Sequence, residues 1–166
     1  MPITLQQLLD ARDARRELQQ ELIRRNPGKS LVMLTVNIPG SEKRTPEALV
    51  TGRAGVEELM RVFDTDSVTE RDLPTGFEAW LLTPLPPDEA KSRAISIEQT
   101  HPLGRLMDID VFQSDGTPIA RAGMGEASRR CLICGEDARV CMRTFAHSQE
   151  ELHSKIHSLV HEFLRH

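Results

Sequence analysis

Residues Ile95 to Phe112, ISIEQTHPLGRLMDIDVF, constrain the fold most. Two β-branched, apolar runs flank His101, Pro102, Gly104 and Arg105, and the pattern predicts strand, tight polar turn, strand. In the second run Asp108 and Asp110 alternate with Met107, Ile109 and Val111. A period of two sends both carboxylates to one face of a strand and the apolar side chains to the other. Such a pair is costly to bury without a partner. A divalent cation is the simplest one, because Mg²⁺ is usually held by one or two carboxylates plus substrate phosphates. An isolated D-x-D also describes the wet face of an antiparallel strand. The neighbours favour the metal reading: Gly104 offers close backbone approach, Arg105 a phosphate-binding side chain, and Glu98 on the preceding strand a third carboxylate. Strand, glycine turn, Arg and D-x-D together form the layout of a nucleotidyltransferase-like centre.

A chain of 166 residues can bury a core without disulfides or metals to staple it, so one domain is expected. The net charge of −4 argues against a broad nucleic-acid-binding surface, which needs a basic excess. No apolar run is long enough to span a membrane and no secretory leader is evident, so a cytoplasmic protein is expected. The three cysteines, an odd number bunched between 131 and 141, fit reduced thiols or a metal site better than a disulfide framework.

Thr4 and Gln7 form a capping box for a helix over residues 5–25, which Asn26-Pro27-Gly28 stops. Its Arg12, Asp13, Arg15 and Arg16 read either as a solvated face or as phosphate contacts made by Arg12 or Arg15. Leu31 to Ile38 predicts a central strand, covered on both faces. The loop after it carries Lys43, a further candidate for phosphate. Thr45-Pro46-Glu47 opens a second helix to about residue 63, in which Gly52 and Gly55 suggest close packing on the sheet. Residues 64–75 read as a polar turn region, 77–83 as a strand with Trp80 as a core anchor, and 88–92 as one helical turn. Ser114-Asp115-Gly116-Thr117 signals a hairpin between DIDVF and PIAR. Residues 123–130 look like a linker.

Cys131-x2-Cys134-x6-Cys141-x5-His147 supplies three thiolates and an imidazole, the ligand set of a structural zinc site. Reduced structural cysteines fit equally well, and thioredoxin-like redox chemistry less well. Ser148 and Glu151 then cap a final amphipathic helix. Its His153, His157 and His161 lie along one flank, a solvated face without the Glu of a metalloprotease motif. The whole predicts an α+β fold. A mixed sheet of about five strands, packed by the helices at 5–25 and 45–63, forms a nucleotidyltransferase-like core over 1–122. The Cys-rich unit and last helix, 123–166, are appended to it within a single domain.

IEQTHPLGRLMDIDV followed by SRRCLICGEDARVCMRTFAH resembles the CitX family, the apo-citrate lyase phosphoribosyl-dephospho-CoA transferases, also called citrate lyase holo-acyl-carrier-protein synthases. LLDARDARRELQQ and LTVNIPGSEK extend the likeness over nearly the whole chain. The resemblance implies transfer of a phosphoribosyl-dephospho-CoA group from its triphosphate donor, triphosphoribosyl-dephospho-CoA, to a serine on the acyl-carrier subunit of citrate lyase, with diphosphate leaving. In that chemistry Mg²⁺ on Asp108 and Asp110 neutralises the triphosphate, Gly104 and Arg105 cradle phosphates, and His101 or Glu98 is a candidate base for the serine. The motifs alone leave open a malonate decarboxylase carrier-protein synthase, another Mg²⁺-dependent nucleotidyltransferase, or a non-catalytic zinc-containing interaction module.

Overall fold

The Thr4 hydroxyl accepts from the Gln7 N–H at 3.1 Å while the Gln7 side chain accepts from the Thr4 N–H at 2.8 Å. This reciprocal cap opens α1, Leu5–Arg25, in the computed structural model, which describes all residues from Met1 to His166. After it come β1 (Ser30–Val36), α2 (Pro46–Val62), β2 (Thr69–Leu73), β3 (Gly76–Thr83), α3 (Pro87–Thr100), β4 (Met107–Phe112), α4 (Ala138–Thr144) and α5 (Gln149–Leu164). The protein is α+β with one four-stranded sheet in the order β2-β3-β1-β4, and every pairing is antiparallel. The expected mixed sheet of about five strands is thus corrected in both number and direction.

Three local readings account for the difference. Ile95 to Thr100 is not a strand but the end of α3, so Glu98 stands on a helix. Its ISIEQ alternation resembles a strand, yet Ala90, Lys91, Ala94, Ile95, Ile97 and Glu98 are the buried set, the three-and-four spacing of a helix face. Residues 64–75 contain β2, a short charged edge strand that pairs with β3 across the Pro74-Thr75 turn. After β4 the hairpin turn forms, with Gly116 at φ +87°, but the return is a single bridge, Phe112 to Pro118, because proline cannot donate to a continuing ladder.

The sheet has two unlike faces. Val32, Leu34, Phe77, Ala79, Leu81, Met107, Ile109 and Val111 meet α2, α3 and α5 in the main core. α5 is therefore not appended: Ile156 and Val160, 2% and 5% exposed, belong to that core. The other face carries Met33, Thr35, Glu78, Trp80, Asp108 and Asp110 in register, with Thr35 between Glu78 and Asp108 and Met33 between Trp80 and Asp110. α1 lies over it with no fully buried residue, held by Gln19 to the Met33 sulfur at 3.1 Å and by Arg15 to Glu78 at 2.8 Å. Trp80 is half-buried here beneath the Arg71 guanidinium, 5.0 Å from the ring centroid, and is no anchor of the main core. No helix is long and apolar enough to cross a membrane.

The α2 glycines are spacers. A Cβ on Gly52 would stand 2.3 Å from the buried Phe77 ring, and one on Gly55 2.5 Å from Leu34. Gly52→Ala is expected to lower stability by about 1–2 kcal/mol, the cost of forcing a methyl into a filled core less the gain in helix propensity. The readout is a lower urea midpoint at unchanged slope.

Candidate active site

β4 is an edge strand whose outer side faces α3. Lys91 donates to the Ile109 carbonyl at 2.9 Å, and Glu98, two helical turns on, accepts from the Ile109 N–H at 3.4 Å. The edge is closed by side chains in place of a fifth strand. Glu98, 3% exposed, is also paired with Arg121 at 2.8 Å and Arg129 at 3.4 Å. Burial raises its proton affinity, opposed by Arg129, Arg121 and Lys91. Arg129 in turn donates to the Gly104 and Arg105 carbonyls, both at 3.0 Å. One carboxylate thus ties α3, the β4 edge and two arginines that the sequence reading missed.

These groups border a cleft of about 720 Å³ between the start of β4, the loop after β1, α5 and the cysteine segment. Asp108, Lys43, Arg105, Arg121, Arg129 and Arg139 line it. Lys43 gives a hydrogen bond to the Ile38 carbonyl, and its proton affinity is lowered by burial and then by Arg12, which places that arginine nearby. Arg105 is likewise lowered, by burial and then by Arg129. Crowded cations of this kind are stabilised by an anion.

Asp110 shares the sheet face with Asp108, although it does not line the cleft. Partial desolvation, then Asp108, pushes its carboxyl up to about 6, so the two carboxylates sense one another. Two carboxylates on one strand face, Asp108 at the cationic cleft and Asp110 two residues along, are a donor set that could hold a hard divalent cation sharing its shell with phosphates.

The other expected site residues are placed differently. Arg15 is committed to buried Glu78, which also holds Arg71 at 2.5 Å. His101 lies apart from the cleft: its Nδ1 accepts from the Leu103 N–H at 3.0 Å and its ring packs on Phe163 at 5.6 Å. It is not among the residues that line the cleft. Gly104 does not cradle phosphate through its N–H, which is given to the His101 carbonyl at 2.9 Å. Its small size serves packing, since a Cβ would meet the Glu98 carbonyl oxygen at 2.3 Å. Glu98, with both oxygens engaged, orients arginines and is not free to act as a base.

Cys131, Cys134, Cys141 and His147 converge, their ligand atoms all within 4.8 Å of one another, a group that could hold a metal ion. The Ile133 N–H points at the Cys131 sulfur at 3.4 Å, and Cys134 and Cys141 sulfurs are 3.4 Å apart. Burial opposes ionisation of Cys131, but the Cys134 and Ile133 N–H groups and the neighbouring thiols draw it down to about 6, while Cys141 is pushed up to about 12 by Cys134 first. His147 Nδ1 faces Glu151 at 3.5 Å, and its Nε2 is buried without a partner. A buried, orphaned imidazole nitrogen beside three thiols, with a carboxylate behind the ring, is an arrangement that could hold a metal ion.

Asp108 among a cluster of cations is a setting that suits phosphate-bearing molecules. The family model described as CitX, apo-citrate lyase phosphoribosyl-dephospho-CoA transferase, matches residues 3–163, and the chain belongs to that family. It is 38% identical, over 97% of its length and 87% of the relative's, to a Streptococcus pyogenes protein named probable apo-citrate lyase phosphoribosyl-dephospho-CoA transferase. A Vibrio cholerae protein of the same name is 36% identical over 98% of this chain and 94% of its own. Protein CitXG of Haemophilus influenzae is 35% identical over 99% of this chain, which spans 37% of that longer relative.

The carboxylate pair has a cost that depends on pH. Below the unfolded value of 3.8 Asp110 is protonated in both states and contributes nothing. Between 3.8 and about 6 the unfolded chain releases the proton that the folded protein retains, so stability falls, and above 6 the loss is complete. Asp110→Asn should therefore melt a few degrees above the parent at pH 8 without added divalent metal, with the gap closing toward pH 4. Solvent access to the residue keeps the effect small.

Proposed function

We propose that the protein transfers the phosphoribosyl-dephospho-CoA group from its triphosphate donor to a serine on the acyl-carrier subunit of apo-citrate lyase. The serine oxygen attacks the phosphorus nearest the ribose, the bond to the bridging oxygen breaks, and diphosphate leaves; the serine proton passes to solvent. The observation that carries the reading is Asp108 facing Lys43, Arg105, Arg121 and Arg129 across one cleft, in a chain of this family. Asp108 and Asp110 would hold Mg²⁺, which when bound neutralises the triphosphate and the charge that grows on the leaving oxygen. Arg105 and Arg121 grip phosphate oxygens, Arg121 with the guanidinium edge that Glu98 leaves free. Arg129 acts through the Gly104-Arg105 turn that it staples. Lys43, backed by Arg12, meets the far phosphates.

Incubating the protein with donor, Mg²⁺ and the apo carrier subunit should add the mass of the prosthetic group to the carrier, read by mass spectrometry. Asp108→Ala should cut the rate by about a thousand-fold, the scale of losing charge stabilisation in a transfer step. No mass gain with the unaltered protein would sink the reading.

We infer that the Cys₃His cluster holds structural zinc. Purified protein should carry a single zinc, which Cys134→Ser or a strong chelator removes with loss of ordered structure around the cleft wall. Metal-free protein that is fully folded, with native thiol protection, would overturn that assignment.

A further inference from the structure

The cysteine segment, whose Met142 lines the cleft, exposes apolar side chains that its own folding does not call for. Phe145 is 89% exposed, Met142 72%, Val140 42% and Ile133 37%, whereas the adjoining Leu132 turns inward against the core. Phe145 ends α4 in the left-handed conformation, φ 52° and ψ 44°. Glycine adopts that conformation freely, and a bulky side chain seldom does. α4 would end at lower cost without the ring, so the reason for the ring lies outside the helix.

Charge surrounds the apolar patch. Ser128 to His147 contains Arg129, Arg130, Arg139 and Arg143 against only Glu136 and Asp137, within a chain of net −4. Arg130 and Arg143 are exposed. Met142 and Arg139 also line the cleft, so patch and cleft form one continuous surface.

We propose that this rim, Phe145 and Met142 flanked by Arg130 and Arg143, is the docking surface for the acceptor protein, and that it binds an acidic face with an apolar centre beside the serine to be modified. The proposal rests on the transferase reading above. A macromolecular acceptor that inserts one side chain into a cleft must cover the rim of that cleft. Exposed aromatic and methionine side chains with arginine around them have the composition enriched at protein–protein interfaces. The basic surround selects a partner of opposite sign and speeds its approach.

The test is steady-state modification of the apo carrier at saturating donor, with carrier concentration varied, for the parent, Phe145→Gly and Arg143→Glu. Donor affinity, by calorimetry, and metal content are measured on each. Phe145→Gly removes both the ring and the left-handed strain, so it should melt no lower than the parent while KM for the carrier rises about ten-fold or more. Arg143→Glu should raise that KM and flatten its dependence on salt. Donor affinity and metal content should stay at parental values. A carrier KM unchanged in both variants would overturn the proposal. So would a rise in KM accompanied by loss of donor affinity or metal, because the ring would then serve the cleft's own structure. No modification by the parent would instead remove the transferase reading, and this proposal with it.

Discussion

The buried carboxylate of Glu98 is the interaction on which the site depends. It accepts from the Ile109 N–H at the sheet edge and neutralises Arg121 and Arg129, which come from the irregular chain after β4. Without it, Arg121 and Arg129 would lose the carboxylate that both are paired with. Truncating one partner of a buried pair commonly costs several kcal/mol, because the remaining charge stays buried and unpaired. Lys91 on the same helix completes the clamp by donating to the Ile109 carbonyl. The strand that bears Asp108 and Asp110 is thereby held on both sides, by β1 through backbone bonds and by α3 through side chains.

That clamp links regions far apart in sequence. Arg129 precedes the cysteine cluster by two residues and holds the Gly104-Arg105 turn, so the cluster's position and the turn's position are mechanically joined. The cleft is walled by the sheet and α5 on one side and by the Cys131–His147 segment on the other. The segment has little hydrophobic core of its own beyond Leu132, and its shape is held by polar ties: the Arg130–Asp137 bridge, the Ala138 N–H to the Arg129 carbonyl and the Ser128 hydroxyl to Asp137.

Much of this was legible in the sequence. Caps at Thr4, Thr45 and Ser148 mark the helix starts because a hydroxyl that satisfies a free N–H is a local signal. The alternation in MDIDV identifies the face of Asp108 and Asp110 for the same reason. The ISIEQ alternation reads as a strand because the buried face of α3 is set by its packing on β4 and β1, a tertiary fact that five residues do not carry. β2 was missed because an edge strand written TERDL has no apolar period. No spacing in the sequence ties Arg121 or Arg129 to Glu98; only the fold brings them together. His101 drew attention by lying close to the aspartates in sequence, yet it does not line the cleft, whereas Gly104 serves there through the carbonyl that Arg129 holds.

The sheet has only one edge left to offer. β4's outer backbone is occupied at Ile109 by α3 and at Val111 by the Ile119 N–H, at 2.9 Å. β2 is the other border, and its Thr69, Glu70, Arg71 and Asp72 are poor material for joining a foreign strand. A visiting protein therefore finds no backbone ladder to extend near the aspartates. Recognition there has to be written in side chains, which can change one by one without remodelling the sheet.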